Sequence, residues 1–107
     1  MTVLFHPEFP RDIRKFEAGY LPVSKGLATR FRKDVDDAVA AIQTSPRSAG
    51  HVFSHRSLLA AELRRRNLRA FPFFVLYGLV DDLLIFGSII PSRSDPLTWL
   101  ARFSGER

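Results

Sequence analysis

Arg64, Arg65, Arg66 and Arg69 form the densest chemical cluster in this 107-residue chain. An arginine presents a planar fork of N–H donors that matches phosphate and carboxylate oxygens and stacks on bases. On an extended segment, Arg64 and Arg66 share one face while Arg65 and Arg69 share the other. One such pair has the chemistry to grip phosphates or an acidic partner. The competing reading is a solvated edge strand, where charge guards against edge-to-edge pairing.

The remaining reactive side chains are sparser. His51 and His55 lie four apart in a Ser/Gly-rich stretch, with His6 remote. Metal binding calls for three or more ligands with a supporting shell, and no carboxylate lies between the two, so no metal is expected. Either imidazole titrates near neutrality and is a candidate general base, although a surface loop histidine is the default. Tyr77 reads as core. Trp99 either anchors a partner or packs the tail onto the fold. Asp36-Asp37 and Asp81-Asp82 are sequence neighbours that point apart, and the second pair is better read as turn chemistry. The chain has no Gly-x-Ser-x-Gly nucleophile context and no glycine-rich phosphate loop. No catalytic residue and no cofactor can be named.

Composition bounds the rest. The length suits one domain, residues 1–107. A hydrophobic fraction of 46% with ten Phe is enough for a real core. Lys and Arg total 16 against 11 acidic residues, for a net charge of +5. That balance fits a nucleic-acid or acidic-protein partner. Without cysteine there are no disulfides and no thiol chemistry. No apolar run approaches about 18 residues, so no membrane span is expected. The opening Met-Thr-Val-Leu-Phe-His lacks a basic n-region, and a cytoplasmic protein is expected.

Periodicity supplies the elements that must position these groups. Val3–Phe5 is a short edge strand ended by His6-Pro7. Phe9, Ile13, Phe16 and Tyr20 are spaced four, three and four apart, an amphipathic helix whose other face carries Arg11, Asp12, Arg14, Lys15 and Glu17. Ser24 is an N-cap candidate for a second helix with the stripe Leu27, Phe31, Val35, Ala38 and Ile42. Arg30, Arg32, Lys33, Asp34, Asp36 and Asp37 fall on its solvent side. The short connection makes the two helices an antiparallel hairpin. Residues 47–57 read as loop and 62–69 as strand. Phe73–Leu79 and Leu83–Ile90 read as a β-hairpin turning at Asp81-Asp82. The expected order is β-α-α-β-β-β, an α+β fold in which the helical hairpin packs on a small antiparallel sheet. The last two strands are apolar at successive positions, which implies cover on both faces. The hairpin of helices takes one face. The other would leave Phe74, Leu76, Phe86 and Ile90, or their neighbours, to a partner, the C-terminal segment or a second copy.

Several stretches resemble the RelE/ParE toxins of type II toxin–antitoxin modules, and ParE most. His6-Pro7-Glu8 with Asp12 resembles the family's opening, and Gly26-Leu27-Ala28 with Phe31 the start of its second helix. Arg64-Arg65 before Phe71-Pro72-Phe73 and Tyr77 resembles the ParE-type "R-R … F-P-Y … Y" stretch. Arg93, Asp95-Pro96, Trp99 and Arg102 resemble its "R-x-D/N-P-x-x-W" ending. Pro91 stands where such chains often carry His, Ser94 where they carry a second Arg, and Phe73 where they carry Tyr. The resemblance implies a toxin that inhibits DNA gyrase and is neutralised by a cognate antitoxin, as a homodimer or a toxin–antitoxin hetero-oligomer. The alternatives are a RelE-like ribosome-dependent mRNA endoribonuclease, against which the missing late Tyr or His argues, and an inactive member. The target- or antitoxin-binding residues it implies are Arg64, Arg66, Arg69, Arg93, Asp95 and Trp99. If Trp99 packs on the sheet edge, Arg93 is expected to lie near the Arg64 strand.

Overall fold

The computed structural model describes residues 1–56 and 62–94, with backbone only for 53–56. The chain runs β1 (Thr2–Phe5), α1 (Glu8–Tyr20), α2 (Lys25–Thr44), β2 (His51–Arg56), β3 (Glu62–Asn67), β4 (Phe73–Val80) and β5 (Leu83–Pro91). The strands form one five-stranded sheet in the order β1-β5-β4-β3-β2. The expected α+β layering of a helical hairpin on a sheet is what the molecule builds. The sheet is mixed rather than antiparallel throughout, because β1 runs parallel to β5 at the edge.

Local chemistry explains three of the boundaries. Pro7 ends β1, and the His6 ring supplies the cap that a proline cannot, its Nδ1 accepting the Glu8 N–H at 3.1 Å. Ser24 caps α2 as expected, with its hydroxyl accepting the Leu27 N–H at 3.3 Å. The β4–β5 turn places Asp81 at φ 53°, a left-handed conformation that Asp tolerates better than most residues.

The helices cover one face of the sheet. Phe9 and Ile13 from α1, and Phe31, Val35, Ala38 and Ile42 from α2, pack on Phe73, Val75, Tyr77, Leu79, Leu84, Phe86 and Ile89. Tyr77 is fully buried there, as expected. A β-bulge decides which residues of β5 take part. Tyr77 pairs with Phe86 but Leu76 pairs with Ser88, which leaves Gly87 as the extra residue. Leu84 and Phe86 before the bulge, and Ile89 after it, therefore all face the helices. Strict alternation would have set Phe86 beside Ile90, and the bulge separates them.

The opposite face carries a smaller cluster of Leu63, Phe74, Leu76 and Ile90, with Val80 and Ile85 against it. Of the covers expected for this face (a partner, the C-terminal segment or a second copy), no partner or second copy is needed for these four core side chains, which are at most 1% exposed within the chain itself. The Arg65 guanidinium lies 3.8 Å above the Phe74 ring, a cation–π contact that adds to this cover.

Two polar residues on the helices are not solvated, contrary to expectation. β5 outruns the four-residue β1, and Asp12 of α1 accepts the Ile89 N–H that lies beyond the end of β1. Asp34 of α2 accepts the N–H groups of Arg69 and Ala70 at 3.1 and 2.8 Å. Each carboxylate satisfies backbone donors that no strand reaches, which is why burial is tolerated.

Candidate partner-binding surface

The arginine cluster is divided by the pleat of β3. Arg64 and Arg66 stand opposite Tyr77 and Val75 and project to the helix-facing side. There they meet the 46–50 connection from α2. Arg64 Nη2 donates to the Arg47 and Gly50 carbonyls, and its Nη1 to Glu62 Oε2 at 2.7 Å. Arg66 donates to the Ala49 carbonyl at 2.7 Å. The Tyr77 hydroxyl donates to the Pro46 carbonyl at 2.6 Å. Burial pushes the Tyr77 phenol above its ordinary range, and the neighbouring Arg64 offsets only part of that. Burial works against the Arg64 charge too, but its bonds to Glu62 and Tyr77 outweigh it and hold the guanidinium above its usual value.

Gly50 allows this close approach. A Cβ there would sit 2.5 Å from the Arg65 carbonyl oxygen and 2.7 Å from the Tyr77 hydroxyl. Residues 51–56, expected as loop, are delivered to the free edge of β3 by this seam and pair there as β2. Pairing to the β3 edge makes a strand of this segment, in which Val52 and Phe53 have strand propensity while Ser54 and His55 do not favour it.

Arg69 lies beyond the strand on a turn held by Asp34, with its side chain at the surface. Phe71, on the same turn, is packed edge-on against Tyr20 and Phe31 at 5.1 and 5.5 Å. Between this turn and α2 lies an open groove of about 450 Å³, walled by Arg30, Lys33, Asp37 and Arg69 over Leu27, Ala70 and Phe71. Lys33 is paired with Asp37 at 3.1 Å, and Asp34 is engaged by backbone. Arg30 and Arg69 make no ion pair among the described residues. Arg30 thus belongs to the same surface as Arg69, which helix periodicity could not reveal.

Arg93 is exposed just past β5. Ser92 donates to the Pro72 carbonyl at 2.9 Å, so Arg93 stands beside Pro72 and Phe73 at the Arg69 end of the sheet. Arg64 is opposite Tyr77, four positions further along β4, or about 13 Å at strand rise. The structure brings Arg69 and Arg93 to one end, and it keeps Arg64 and Arg66 in a separate seam. Asp95, Trp99 and Arg102 lie outside the described residues.

A second groove, of about 420 Å³, opens between the helices beside β1. It is lined by Phe5, Phe9, Ile13, Val35 and Val39, with Arg32 and Asp36 at its rim. Leu4 and Phe5 next to it are each 47% exposed. Among the described residues no cluster of three or more His, Asp or Glu could hold a metal. No described helix is long and apolar enough to cross a membrane.

No protein-family model matches the sequence, and no curated protein is significantly similar to it. The fold is nevertheless that of a solved chain of the chromosomal ParDE toxin–antitoxin system from P. aeruginosa. The two superpose with a TM-score of 0.71 over 85% of this chain and 95% of that one, at 15% sequence identity.

Proposed function

We propose that this chain is the toxin of a type II toxin–antitoxin pair, that it inhibits growth by binding DNA gyrase, and that a cognate antitoxin neutralises it. The observation that carries this reading is the fold shared with a chain of the ParDE system, together with the ParE-like order of motifs. A binding role is favoured over cleavage because the sheet tyrosine is unavailable for proton transfer: Tyr77 is buried and its hydroxyl is given to Pro46.

In this reading the apolar groove beside β1 receives the antitoxin. A few large side chains buried there at about 25 cal/mol per Å² make a tight contact. The open end with Arg69 and Arg93 meets the target, and Asp95 and Trp99 are assigned to the same role from the sequence motif alone. Arg64 and Arg66 hold the 46–50 connection, and their contribution to activity passes through it.

Inducing the gene alone and following plasmid supercoiling and mRNA integrity over time tests the reading. Loss of supercoiling before any mRNA cleavage is expected. Cleavage of ribosome-bound mRNA as the first event would replace gyrase binding with ribonuclease activity. No growth defect at full expression would mark the chain as inactive.

A further inference from the structure

We infer that the groove between α2 and the β3–β4 turn is a docking site for an acidic peptide segment of a partner protein, with Arg30 and Arg69 clamping two carboxylates on either side of an apolar residue. Charge is the first argument. Lys33 and Asp37 neutralise each other across one turn of α2, and Asp34 is spent on the Arg69 and Ala70 N–H groups. What the groove offers a ligand is therefore two guanidiniums from different elements, one on a helix and one on a turn. Each is a fork suited to bidentate carboxylate recognition.

The floor supplies the second argument. Leu27, Ala70 and Phe71 are apolar, and Phe71 is held against Tyr20 and Phe31, so the surface between the two cations is rigid and takes a hydrophobic side chain. The buried Asp34 carboxylate fixes the turn that carries Arg69, so little ordering is left for the moment of binding.

The same geometry disfavours a nucleic-acid strand. A phosphate backbone needs a continuous positive track, and this groove offers two guanidiniums, unpaired among the described residues, over an apolar floor instead. A peptide can place its own charges only where the guanidiniums stand. The inference does not depend on gyrase as the target, because it is read as binding in vitro.

The test uses the full chain and a fluorescent synthetic peptide of alternating Glu and Leu, with a Gln-for-Glu peptide and a single-stranded oligonucleotide of equal charge as comparisons. Anisotropy should show saturable, salt-sensitive binding of the acidic peptide and none of the Gln peptide. The R30E/R69E double variant should weaken binding about tenfold or more, while R14E, on the exposed face of α1, stays within about twofold. Amide shifts of Arg69, Ala70 and Phe71 in the wild-type protein should move on titration, a readout that holds even if the double variant folds poorly. Unchanged affinity in a folded R30E/R69E, shifts elsewhere only, or tighter binding of the oligonucleotide through Arg30 and Arg69 would each overturn the inference.

Discussion

Arg64 and Arg69 are five residues apart and chemically identical, yet they belong to regions with opposite uses of a guanidinium. In the seam between β3 and the 46–50 connection, Arg64 and Arg66 donate to backbone carbonyls, Arg64 also to Glu62, and the Arg64 side chain is only 11% exposed. In the groove beside α2, Arg30 and Arg69 are exposed and make no ion pair among the described residues, while a carboxylate beneath them organises the backbone instead. The difference teaches that a run of cations cannot be read as one binding surface. The pleat sends alternate residues to opposite sides, and whichever side meets orphan carbonyls becomes structural.

Breaking the first region should cost most. Arg64→Ala leaves the Arg47 and Gly50 carbonyls and Glu62 without their shared donor, and we expect a loss of about 2–3 kcal/mol in urea unfolding. A variant as stable as wild type would mean that the seam is decorative. Gly50→Ala attacks the same seam from the other side. Its Cβ meets a backbone oxygen that cannot swing away, and overpacking of this kind costs about 1–3 kcal/mol. An unchanged melting temperature would show that the connection can shift without loss.

The comparison sharpens at high pH. Because burial raises the Tyr77 pKa in the folded chain, the native state keeps a proton that the unfolded state gives up from about pH 10 upward. The stability of the wild type should be insensitive to this group below about pH 9 and fall as pH rises past 10. Tyr77→Phe should lack that component of the decline, starting about 1 kcal/mol lower at neutral pH from the lost bond to Pro46. Parallel pH profiles for the two proteins would remove Tyr77 from the seam. The smallest effect belongs to the second region: Arg69→Ala should stay within about 0.5 kcal/mol of wild type in urea unfolding. A destabilisation matching that of Arg64→Ala would erase the distinction between the regions.

Much of this architecture was legible in the sequence where local chemistry decides the outcome. The 3.6-residue stripes of α1 and α2, the Ser24 cap, the Pro7 stop and the Asp81-Asp82 turn each act within a few residues. The helical hairpin and the β4–β5 hairpin therefore follow from the chain alone, and so does the burial of Tyr77. Of the site, the sequence pointed to the arginines but could not divide them, because it does not show which backbone groups lack partners. Tertiary structure made those decisions. The parallel placement of β1 beside β5 joins residues some eighty positions apart. The bulge at Gly87 moved Phe86 and Ile90 to opposite faces, invisible in a run that is apolar at nearly every position. β2 exists because β3 offers a free edge and Arg64 and Arg66 pin the approach to it. Asp12 and Asp34 look like ordinary solvated residues on amphipathic helices until a donor without a strand partner is brought opposite them. Periodicity measures only whether a residue is polar, and whether that polarity faces water or an orphan N–H is set by the rest of the fold.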